Sequence, residues 1–213
     1  MKQIDKTKLG IFIIIRASVM IAGSIALFNR NWEYVGMAVL TLIVMLLPSI
    51  IEKRFKLEIP DGFEIILILF IYAAIFLGSL HQFYFRFWWW DKMLHSLSGL
   101  IFGNIGFLII RYLNSNNKMN IYLSPIFVAL FTFCFAVAIG AIWEIFEYTM
   151  DRFFGFFMQR GSLDDTMIDI ILDTLGALVF ATLGYFRRFD QSSSYLENTS
   201  GKSMGQSENG SGQ

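Results

Sequence analysis

Six apolar stretches of about 20 residues each set the terms for this chain. They run roughly Leu9–Phe28, Tyr34–Ile51, Glu64–Tyr84, Trp88–Tyr112, Ile121–Met150 and Thr166–Phe186. Each is long enough to cross a bilayer, although Pro48 makes the second short and the fifth is long enough to tilt. None alternates as a barrel strand would. In lipid, the other way to satisfy every backbone N–H and C=O is within a helix. The sequence therefore predicts an all-α fold, a polytopic transmembrane helix bundle of six spans.

Composition supports this: 55% of the residues are hydrophobic and only 16% charged, too apolar for an ordinary soluble domain. The first span has a basic head like a signal peptide, but its apolar run is too long and contains Arg16, so it is read as retained. The 17 basic and 17 acidic residues balance, which gives nucleic acid no basic surface to bind. The lone cysteine, Cys134, has no disulfide partner in the chain and is expected to be buried.

Lysine and arginine in the connecting segments orient the spans. Lys2, Lys6, Lys8, Lys53, Arg54, Lys56, Arg111, Lys118, Arg187 and Arg188 fall on the side of the N-terminus, against Arg30, Arg86, Lys92, Arg152 and Arg160 on the other. The positive-inside rule places both termini in the cytoplasm. Trp32, Trp88, Trp89, Trp90 and Trp143 then lie near the outer interface, where indole prefers to sit. Residues 1–188 form the six-span domain; 189–213, rich in Ser, Gly, Asn and Gln, read as a polar, flexible cytoplasmic tail.

With this topology, ionisable residues gather at one level. The fourth span opens with Asp91 and His95, one turn apart. The fifth closes with Glu144, Glu147 and Asp151 on one face. The sixth opens with Asp165, Asp169 and Asp173, spaced i, i+4 and i+8. All lie in the outer halves of consecutive spans, with Glu144 and Asp173 deepest. A carboxylate at membrane depth costs several kcal/mol unless it is paired, protonated or hydrated. Something must offset so much like charge: a bound cation, shared protons, nearby Arg or Lys, or water. Carboxylates with an imidazole suit Mg²⁺, Mn²⁺, Ca²⁺ or Zn²⁺. The candidate ligands are Asp91, His95, Glu144, Asp165, Asp169 and Asp173, with Glu147 as general base and His95 as a second catalytic group.

Structural readings stand beside these. Asp91, Asp164 and Asp165 can cap their helices, His95 can be a hydrogen-bonded core histidine, and Glu147 and Asp151 can pair with Arg152 or Arg160 at the interface. Gly99 and Gly103 have the spacing that lets helices approach closely. The Phe-rich segment Arg152–Leu163 reads as an interfacial or re-entrant lid, whose Arg152 and Arg160 can bind a phosphate or carboxylate headgroup.

The blocks WDKMLHSLSGLIFG, GAIWEIFEYTMD and DDTMIDIILDTLGAL resemble those of the YjdF-like family of bacterial membrane proteins. The first is also similar, over a short length, to the D-K-x-x-H element of VanZ-like proteins. The resemblance covers about Trp88–Gly184 and falls on Asp91, His95, Glu144, Glu147, Asp165, Asp169, Asp173 and Gly176. It implies a multi-pass protein of the bacterial plasma membrane and carries no activity with it. The function expected from the residues is a divalent-metal-dependent hydrolase or transferase acting on a membrane lipid or lipid-linked substrate. A cation- or proton-coupled transporter and a non-catalytic binding component are the alternatives. The near absence of ionisable groups in the inner halves of spans four to six argues against conduction.

Overall fold

The computed structural model describes the backbone of residues 6–55, 59–115, 123–159 and 162–208, and the side chains of these except 114–115 and 187–208. Among the described residues its regular structure is all helical, with six helices or helix pairs long and apolar enough to cross a membrane: Lys6–Phe28, Trp32–Phe55, Asp61–Leu80, Trp90–Leu113, Pro125–Phe154 and Leu163–Phe186. The chain divides into two compact units, Met1–Leu94 and His95–Gln213.

In the first unit, α1 is Lys6–Phe28. Asn31 caps α2 (Trp32–Val44) by accepting the Tyr34 N–H at 3.2 Å. Pro48 has no N–H to offer the Val44 carbonyl, so the second span breaks there and resumes as α3, Leu47–Phe55. The third span is α4 (Asp61–Ile71) widening into a π-helical stretch, Tyr72–Leu80. The left-handed Gln82 (φ 60°) then turns the chain into the short α5, Phe83–Arg86, so this span stops before the expected Tyr84. Val19, Met45 and Ile68, all at 0% exposure, centre the core. At one end of it Lys8 pairs with Glu64 and, at 2.9 Å, with Asp61, while Ser49 donates to Glu64 at 2.8 Å. Arg16 lies over the Phe12 ring and donates to the Met45 carbonyl at 3.4 Å, at the break between α2 and α3.

The second unit contains most of α6 (Trp90–Ser115), α7 (Pro125–Phe154) and α8 (Leu163–Glu208). Ser124 caps α7 through the Phe127 N–H, with Pro125 in the first turn where its missing N–H costs nothing. The buried stripe of α7 is Val128, Thr132, Ala136, Gly140 and Glu144, one residue in four. Cys134 falls on the opposite side of that helix and is exposed, which corrects the expectation of a buried thiol.

Glycines set the spacing of these helices. A Cβ at Gly99 of α6 would strike the Asp173 carbonyl of α8 and stand 2.8 Å from the Ala177 nitrogen. One at Gly176 would strike the Ser96 carbonyl and lie 3.2 Å from the Gly99 Cα. Backbone therefore meets backbone at this crossing. The Phe180 ring rests on Gly103 and the Phe135 ring on Gly106. The expected polar tail, 189–213, and the boundary before it lie outside the residues whose side chains are described.

Gly99→Ala is expected to destabilise the protein by roughly 1–3 kcal/mol, lowering Tm by several degrees. Gly184→Ala, where a Cβ would meet nothing within 4 Å, should leave Tm unchanged. Circular-dichroism melting of both variants in detergent micelles checks this.

Candidate metal centre

The tight crossing brings the polar residues of α6 onto α8. His95 and Ser98 are one turn apart on α6, 6% and 8% exposed, and both meet Asp173 of α8, 2% exposed. His95 Nδ1 lies 3.0 Å from Asp173 Oδ2. In the neutral tautomer that donates from Nδ1 to this carboxylate, Nε2 would be the nitrogen left to ligate. Ser98 Oγ reaches Asp173 Oδ1 and, at 2.8 Å, the His95 carbonyl. It has one proton to give, and the bond to the carboxylate is the stronger use of it. Asp173 also sits on α7: a Cβ at Gly140 would come within 2.6 Å of its Oδ2. All three helices thus define the position of one carboxylate, and through it the orientation of one imidazole.

The other ring nitrogen of His95, Nε2, stands 3.7 Å from Oε1 of Glu144, which is 4% exposed. That is too long for a hydrogen bond and leaves room for a bridging species. Asp169, one turn before Asp173 on α8, is 2% exposed. Asp91 lies one turn before His95 on the same continuous helix α6. Asp91, His95 and Asp169 each offer a ligand atom, all within 4.8 Å of one another and all buried. Two donors each about 2.1 Å from Zn²⁺ lie at most ~4.2 Å apart, so small side-chain adjustments would close the trio on a cation. Two carboxylates and an imidazole are a fitting donor set, and Asp173 stands where an outer partner would orient such a histidine.

The other expected residues are placed differently. Asp165 is half-buried in the first turn of α8, its N–H on Ser162 Oγ at 3.4 Å, and is not one of the trio. Glu147, also half-buried, accepts the Trp143 indole N–H at 2.9 Å. Asp151 accepts the backbone N–H groups of Met158 (2.7 Å) and Gln159 (2.9 Å), so it anchors the connection that follows α7. That connection is shorter than the expected lid, because α7 continues to Phe154 before the left-handed Gly155 ends it. Arg152 is exposed; Arg160 lies outside the described residues. Gln159 went unanticipated. Its amide donates to Thr166 Oγ1 at 3.0 Å and to the Glu144 carbonyl at 3.4 Å, tying the connection to both helices. Its one sequence signal is a polar residue in a Phe-rich segment.

Residues 8–189 match the family described as "Predicted membrane protein (DUF2238)". The chain belongs to this family. An uncharacterized protein of Thermotoga maritima is 28% identical over 141 residues, covering 66% of this chain and 71% of that one. No solved structure matches. Membership bears out the broad expectation, a multi-pass membrane protein, and carries neither of the family names suggested by the sequence blocks.

Ser98→Ala and Asp173→Asn should each lower stability. Because they share one hydrogen bond, their double mutant should depart from additivity by about 0.5–3 kcal/mol. A thermal or chemical denaturation cycle of the four proteins measures that coupling.

Proposed function

We propose that this DUF2238 protein is a bacterial plasma-membrane enzyme, a metal-dependent hydrolase or transferase acting on a lipid or lipid-linked substrate. Both termini would be cytoplasmic, and its reacting centre would lie toward the extracytoplasmic face. The observation that carries this reading is the gathering of Asp91, His95 and Asp169 with their ligand atoms within 4.8 Å, buried on two helices long and apolar enough to cross a membrane. Isolated acids at this depth are costly, and a cation offsets them. One imidazole among carboxylates fits Zn²⁺ or Mn²⁺ better than Mg²⁺ or Ca²⁺.

A divalent cation would supply Lewis acidity toward a phosphoryl or acyl oxygen. The chain's own groups do the rest. Asp173, steadied by Ser98 and Gly140, holds the His95 ring so that Nε2 faces the centre. Glu144, with Oε1 3.7 Å from that nitrogen, would take the proton from an attacking water. Glu147, the residue expected in that role, is engaged by Trp143. Arg152 and Arg160 would contact the headgroup.

Elemental analysis of purified protein should find about one Zn or Mn per chain, and chelation should lower Tm. Asp169→Ala and His95→Ala should abolish the metal. Asp173→Asn should weaken its binding by about 10–100-fold. Metal-free wild-type protein whose melting ignores both EDTA and added Zn²⁺ or Mn²⁺ would overturn the proposal.

A further inference from the structure

One wall of the centre is also the wall of a cavity. Between α7 and α8 runs an open groove of about 760 Å³, within the range of small-molecule sites. Glu144 lines it and also stands 3.7 Å from His95. Beside Glu144 and on its deeper side the lining is apolar, with Ile145, Ala141 and Ile170. Toward the membrane surface it becomes polar, ending at Arg152, eight residues or about 12 Å along α7 from Glu144. Arg152 is exposed and forms no ion pair among the described residues. The carboxylate of neighbouring Asp151 is held by two backbone N–H groups of the connection.

The groove therefore has a greasy end inside the membrane, a cation at the interface, and a buried acid between them. We infer that it binds an anionic phospholipid, with one acyl chain laid along Ala141, Ile145 and Ile170 and the phosphate on Arg152. Charge complementarity selects the occupant: an apolar chain with an anionic head matches both ends, and an uncharged head leaves Arg152 unmatched. The lipid's linkage region then passes Glu144. The groove's role as the substrate slot rests on the enzymatic reading above; its role as a lipid site does not.

Native mass spectrometry of purified protein exchanged with phosphatidylglycerol or with diacylglycerol, which has the same chains and no phosphate, tests this. The wild type should retain phosphatidylglycerol in preference by about tenfold, the scale of one charge-assisted hydrogen bond. Arg152→Gln should erase the preference while leaving weak retention of both lipids. Ile170→Trp, filling the greasy end, should reduce retention of both; Ala141→Leu, a smaller intrusion, replaces it if the first does not melt cooperatively. None of the three should alter the metal content found by elemental analysis, so loss of lipid and loss of metal are separable failures. Undiminished preference in Arg152→Gln, or undiminished retention when the groove is filled in a cooperatively melting variant, would overturn the inference.

Discussion

The crossing of α6 and α8 at Gly99 and Gly176 is the contact on which the second unit depends. Without side chains between them, the two backbones come close enough for short polar groups to span the gap. Ser98 and His95, either side of that contact, then reach Asp173 directly. A single added methyl at Gly99 would meet the Asp173 carbonyl itself, so packing and polar geometry are one constraint here. In lipid this arrangement has particular force. Helices gain no hydrophobic driving force by leaving the hydrocarbon, so close van der Waals packing and interhelical hydrogen bonds must hold them together.

The third helix completes the arrangement by the same means. Gly140 leaves a hollow on α7 that the Asp173 carboxylate fills, and the same four-residue stripe carries Glu144 one turn later. The acids are thus not spread around the unit. Four of its buried polar side chains, His95, Ser98, Asp173 and Glu144, face a common interior, with Asp169 beside them at 2% exposure. Such a concentration of carboxylates is costly in low dielectric, a cost that a bound cation would offset. Buried Glu64, in the first unit, is accommodated differently. Glu64 has Lys8 and Ser49 as internal partners, so its charge is balanced by the chain itself.

The spans were legible because hydrocarbon imposes a length and an apolar composition that few other environments demand. Their ends were less so. Pro48 breaks the second span through a missing N–H, and Gln82 ends the third early through a left-handed turn, both of which hydropathy averages over. In the candidate centre, the level at which the acids would gather was legible from helix spacing, as was the depth of Glu144, Asp169 and Asp173. Their division of labour was not. Asp151 serves a connection and Glu147 an indole, because which neighbour a surface carboxylate meets depends on where the next segment folds back. Cys134 was misjudged for a related reason: in a membrane span an apolar neighbourhood in sequence does not distinguish the bundle interior from the lipid side.

By itself the sequence determined that this is an all-helical protein with six segments of membrane-spanning length, and that one group of its acids and His95 lie toward one end of the last three, since span length and helical periodicity are local properties. Only the tertiary structure decided that His95 turns its Nδ1 to Asp173 and its Nε2 toward Glu144, and that Asp91 and Asp169 approach the same point. Those relations depend on how far and in what register two helices slide together, and that is set by contacts between glycine backbones far apart in the chain.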